Sequence, residues 1–159
     1  MTPQIELKPQ KELIGQRLKM SYADYKIGSL WGRFMPRRKE IKNTVSNDLI
    51  GLTLYKKTHF SHFSPTNEFE KWATIEVSHI DQLPEGLENY SFPGGLYALF
   101  QYRGSSTDIA KFYQEIFTVW LPSSEFELDD RPHVEVLGAQ YKNNDPSSEE
   151  EIWIPIKRP

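Results

Sequence analysis

The strongest constraint on the fold is an order of elements that occurs twice. In "SYADYKIGSLWGRFMPRRKEIKN" the apolar residues Ile27, Leu30, Trp31 and Phe34 follow the i, i+3, i+4, i+7 spacing of one helix face. In "STDIAKFYQEIFTVWLP" the residues Ile109, Phe112, Tyr113, Ile116, Phe117 and Trp120 trace a longer stripe at the same period. Ser105 to Asp108 offer N-cap side chains there, and Pro122 follows the last apolar residue. Each helix has one extended segment before it and two after it. In the first half these are "IELKPQKELIGQRLKM" (5–20), "LIGLTLYK" and "FEKWATIEVSHI"; in the second they are "GGLYALFQYRG", "PHVEVLGAQY" and "EIWIPIKR". Gly94-Gly95 suits a turn or a close backbone approach. "DQLPEGLENYSF" joins the halves, and "THFSHFSPTNE" and "KNNDPSSEE" read as loops.

Two β-α-β-β units in tandem predict an α+β fold: six strands in an antiparallel sheet, two covering helices, pseudo-twofold symmetry and a ligand groove between the halves. A length of 159 residues fits one domain over 1–159, with halves of about 1–80 and 81–159. No apolar run is long enough to cross a bilayer, and the N-terminus lacks a secretory pattern, so an intracellular, cytoplasmic protein without a membrane partner is expected. The sequon Asn89-Tyr90-Ser91 then carries no meaning. With no cysteine there is no disulfide, no thiolate nucleophile and no sulfur-ligated metal.

A net charge of −3, with "PRRKE" (36–40) as the one dense basic stretch, argues against direct nucleic-acid binding; "PRRKE" reads as a solvated helix end. No cofactor is expected. "FPGGLY" lacks both phosphate-cradle patterns, there is no G-x-S-x-G elbow, and "RGSSTD" reads as a helix cap. His59 and His62 stand in an H-x-x-H spacing, but in a loop and without a third ligand, so no metal is expected. The aromatic content, 13% with four Trp, eight Tyr and nine Phe, serves a core and also suits flat or cationic ligands.

One carboxylate stands out. In "RPHVEVLG" Glu135 lies between Val134 and Val136, and as a strand the segment puts it on one face with Leu137, Ala139 and Tyr141. The pattern leaves two readings open: an exposed Glu at an edge, or a carboxylate kept in apolar surroundings for a task.

The path "PGGLYALFQYRG", "FYQEIFTVWLPSSEFE", "RPHVEVLG" and "EEEIWIPIK", preceded by "ELIGQRLKM", "LWGRF", "LIGLTLY" and "FEKWATIEV", resembles the gyrase-inhibitor-like (GyrI-like) domains, which also occur as effector-binding domains of bacterial AraC-type and MerR-type transcription regulators. The W-L-P-S-S run, the P-x-x-E signature and the terminal E-I-x-I-P-I are its most specific parts, and the likeness covers essentially the whole chain. The resemblance implies a groove lined by aromatic residues, with a buried glutamate at Glu135 that meets cationic, planar compounds. It places the groove walls on or near Trp31, Tyr55, Trp72, Tyr97 and Trp120, with Tyr141 and Trp153 as further candidates. Since the duplicated unit consumes the whole chain, the expectation is a stand-alone small-molecule-binding domain without its own DNA-binding segment. Two alternatives stay open: a hydrolase of strained electrophilic compounds with Glu135 as general acid or base and Tyr97 orienting water or substrate, and an inhibitor of a protein partner such as DNA gyrase.

Overall fold

The segments Phe69–Val77 and Glu149–Lys157 are buried along nearly their whole length, because one pleated face of the sheet packs on the helices and the other on a core of its own. The computed structural model describes residues 1–159. The elements are β1 (Gln4–Lys8), β2 (Lys11–Met20), α1 (Ile27–Phe34), β3 (Thr44–Leu54), β4 (Phe69–Val77), β5 (Glu88–Phe92), β6 (Gly95–Arg103), α2 (Ile109–Glu115), β7 (Glu127–Leu128), β8 (His133–Leu137) and β9 (Glu149–Lys157). A 3-10 segment over Met35–Glu40 closes α1 at Pro36, and within it Arg37 pairs with Glu40 at 2.8 Å, a solvated helix end as the sequence implied. Helix α2 widens into a π-helical stretch, Ile116–Trp120, before a last turn over Leu121–Ser123.

The strands form one antiparallel sheet in the order β1-β6-β9-β8-β3-β4-β2-β5, with β7 beside β9. The two β-α-β-β units are β2-α1-β3-β4 and β6-α2-β8-β9, and the strand order reads the same from either end when the halves are exchanged. They meet at five residue pairs between β3 and β8, the central one being Gly51 opposite Glu135.

Three strands exceed the six that sequence predicted. Pro9 interrupts the ladder and splits the first extended segment into β1 and β2; β5 lies inside the connection "DQLPEGLENYSF", and β7 is a short addition on β9. The two helices lie on the same face. Leu30 and Phe34 of α1 pack on Ile14, Phe69, Ala73 and Ile75, while Ile116 packs with Ala98, Phe100, Ile152 and Ile154. The opposite face holds a third core of Leu13, Ile50, Leu52, Trp72, Phe92, Tyr97, Leu99, Val134 and Trp153. The sheet coils enough for Phe92 of β5 to meet Tyr97 and Trp153 of the other half, at ring distances of 5.7 and 6.2 Å.

Arg131 fastens that coil. Its guanidinium donates to the carbonyls of Gly94, Leu96 and Ile156 at 3.1, 2.7 and 3.0 Å, pairs with Asp129 at 2.7 Å and lies 4.7 Å over the Tyr97 ring. Gly95 (φ +118°) leaves room for it, since a Cβ there would fall 2.4 Å from Arg131 Nη1. Arg131→Met would strand three carbonyls and an aspartate, so a loss of about 2 kcal/mol in stability is expected by urea denaturation.

Candidate functional site

Strand pairing assembles the site. Residues directly opposite in antiparallel strands point to one face, so Glu135, Gly51 and Ala73 form one row under the helices and His133, Thr53 and Lys71 the next. Helix α1 covers β2 and β4 and helix α2 covers β6 and β9, which leaves β3 and β8 as the floor of a groove between them. Gly51 lets Trp31 of α1 come down to that floor: a Cβ at Gly51 would lie 3.5 Å from Trp31 Cζ2 and 3.9 Å from the Cβ of Glu135.

Across the groove, the Tyr113 hydroxyl of α2 donates to Glu135 Oε1 at 2.9 Å, and Phe117 stacks one turn on from Tyr113 at 6.4 Å. Tyr55, at the end of β3, shares a 2.8 Å hydrogen bond with Tyr22 and meets the His133 ring edge-on at 4.9 Å. Phe60, from the β3–β4 loop, lies 5.2 Å from Phe117 and stacks on His133 at 5.8 Å, so the loop touches the second half of the molecule. The Glu135 side chain keeps 28% of its surface exposed.

The electrostatics are richer than one carboxylate. Lys71 Nζ lies 3.8 Å from Glu135 Oε1, and its side chain is only 9% exposed. Glu150, which follows the pairing of β8 with β9 onto the same face, is 8% exposed, and its Oε1 has no hydrogen-bond partner. Burial pushes the Glu150 carboxyl up to about 8; the Glu135 charge adds to the rise and Lys71 opposes it. Burial also raises the Tyr113 and Tyr55 phenols well above their ordinary range, so both stay neutral hydrogen-bond donors. His133 is held down to about 3 by burial, with Lys71 and His59 adding to the effect, and stays uncharged at neutral pH.

The chain matches the family model described as the GyrI-like small molecule binding domain over residues 1–157. The chain belongs to that family. It is 27% identical over 158 residues to the transcriptional regulator BrlR of Pseudomonas aeruginosa, and the match covers 98% of this chain and 56% of BrlR, about half of that regulator's length. Among solved structures it is similar to SAV2435 bound to tetraphenylphosphonium, with a TM-score of 0.75 at 12% identity over 99% of this chain and 94% of the other. It is also similar to EcmrR in an EcmrR–DNA complex, with a TM-score of 0.75 at 11% identity over 99% of this chain and 58% of that one. At such identities the two structures establish the shared fold alone.

In this GyrI-like domain Trp31, Tyr55 and Glu135 stand at the groove. Tyr141 reaches its rim from a turn, because β8 ends at Leu137; the Tyr141 phenol is raised to about 12, chiefly by burial, with Glu150 and Glu135 adding to it. Ala139 and Tyr141 therefore do not continue the strand face expected from sequence. Strand parity corrects the placement of Trp72, Tyr97 and Trp153, and the helix turn corrects that of Trp120. Trp72 follows Lys71 and so points to the opposite face, where its indole N–H donates to Glu70 at 2.8 Å. Tyr97 lies on that same far face and donates to the Pro132 carbonyl at 2.7 Å, which removes it from the water-orienting part expected of it. Trp120 packs against Phe100 at 5.2 Å, on the core side of the helix, and Trp153 also sits in the far core.

The two histidines of the H-x-x-H spacing have separate surroundings: His59 is buried among Tyr22, Tyr55, Phe60 and Phe63, and His62 pairs with Ser61 at 3.1 Å. No group of three or more His, Asp or Glu side chains is arranged to hold a metal, and no helix is long and apolar enough to cross a membrane.

Gly51 offers a direct test of the groove. The methyls of a Gly51→Val side chain would occupy the space between Trp31 and Glu135. The expected cost in stability is about 1 to 2 kcal/mol, and ligand-induced changes in Trp31 fluorescence should vanish while the circular dichroism spectrum stays native.

Proposed function

We propose that this domain binds amphipathic small molecules that are cationic or planar and aromatic, in the groove between α1 and α2, with Glu135 as the counter-charge. The observation that carries this reading is the partly exposed Glu135 carboxylate at the meeting line of the two halves, between the Trp31 indole and the Tyr113 hydroxyl. A charge in a groove of low effective dielectric attracts a cation more strongly than it would in water, and each aromatic face adds roughly 0.5 to 2 kcal/mol of cation–π attraction. The liganded SAV2435 structure supports the choice of a lipophilic cation as the first probe. Isothermal titration with tetraphenylphosphonium on wild type and Glu135→Gln tests the reading, and equal binding by the two proteins would overturn it.

One feature favours hydrolysis as a second reading. Glu150, with its carboxyl held up to about 8, and Glu135 share one groove, as a proton donor and a proton acceptor would. Mass spectrometry of strained electrophiles such as epoxides after incubation would reveal ring-opened product lost in Glu135→Gln; unchanged compound would dispose of it.

A further inference from the structure

Besides the partly exposed Glu135, the groove contains a buried lysine, Lys71, and a buried second carboxyl, Glu150. Lys71 is 3.8 Å from Glu135, so the pair is already neutral before a ligand arrives. Glu150 is more than nine-tenths buried on the same sheet face, and one of its oxygens has no donor. We propose that Glu150 is a second acid of the cation site, which releases its proton when a cation enters, so that binding exchanges one charge for another. The proposal rests on the cation-binding reading above and adds the regulation of that site.

Charge balance underlies this exchange. With Glu135 ionised, Lys71 charged and Glu150 protonated, the groove carries no net charge. A monovalent cation then leaves an excess positive charge in a poorly solvated space unless another group ionises. Glu150 is placed to do so. The titratable and charged groups facing it are Glu135 from β8, Lys71 from β4, Tyr102 from β6, Tyr113 from α2, Tyr25 from the segment before α1, and Tyr141 from the turn after β8. The tyrosines are all held above their ordinary range, which leaves Glu150 as the group whose value lies near neutrality. In the free protein the carboxyl sits at about 8, and an added cation nearby lowers it.

Tetraphenylphosphonium carries no exchangeable proton, so any proton released on its binding comes from the protein. Titration calorimetry in two buffers of different ionisation enthalpy should show close to one proton released per cation at neutral pH. Affinity should tighten by about tenfold for each pH unit from about 6 towards 8, then level off, because the released proton enters the binding equilibrium once. Glu150→Gln should bind with no proton release and a flat pH profile. Wild type that binds with no proton exchange and constant affinity across that range, in a preparation where Glu135→Gln has lost binding, would overturn the role of Glu150 and leave the cation site standing. Absence of binding by wild type would overturn both.

Discussion

Glu135→Gln is expected to weaken binding of a lipophilic cation by about a hundredfold, or about 3 kcal/mol, the cost of leaving a desolvated charge without its partner. Gln preserves the shape of the side chain and can still accept from the Tyr113 hydroxyl, so the change removes the charge and little else. A planar neutral ligand of similar size gives the contrast, because stacking on Trp31 and Tyr113 does not depend on the carboxylate and its affinity should change by less than about threefold. A Gln variant that holds the cation as tightly as wild type would remove Glu135 from the site.

Lys71→Met is expected to act in two directions at once. Two unit charges 3.8 Å apart attract by about 4 kcal/mol at an effective dielectric near 20, and an incoming cation has to compete with that attraction. Part of it is recovered as the displaced ammonium regains water, so cation affinity in the variant should rise by about tenfold to a hundredfold. The ligand-free protein should lose about 2 kcal/mol, because the Glu135 carboxylate then stands in the groove without its counter-charge. Glu150 sets the pH dependence of that loss. Its folded value, about 8, lies above its ordinary 4.5, so the folded state holds the extra proton and stability falls as pH rises through that window. Removing Lys71 takes away the one influence lowering the Glu150 value, which extends the window to higher pH. Urea denaturation at several pH values checks this, and the double variant with Glu135→Gln should recover much of the loss, since the two substitutions remove both members of one pair.

Element order and helix periodicity made the duplicated architecture legible, because both depend on local spacing. The helix stripe was legible as apolar but not in its division of labour. Ile116 and Trp120 turn to the sheet, while Tyr113 and Phe117 form the neighbouring ridge and face the groove. Strand parity is legible for Glu135 and for two further charged residues. A charge on an apolar strand face also marks Lys71, in its row with Phe69, Ala73, Ile75 and Val77, and Glu150, in its row with Ile152, Ile154 and Ile156. The same parity sends Trp72 away from the groove. What sequence could not supply was register: that Glu135 stands opposite Gly51, and that this gap is what Trp31 fills, depends on pairings between residues 84 positions apart.

The edge strands give the symmetry a physical meaning. The strand that begins the first half, β1, pairs with β6 of the second, and β5, which leads into the second half, pairs with β2 of the first. Each half has handed its outermost strand to the other, as in a domain-swapped dimer whose protomers have been joined into one chain. Neither half therefore owns a complete sheet, and a cut in the 78–87 connection would give two fragments that complement each other only by association. A ligand seated on the line where they meet would tighten a knot the backbone has already tied.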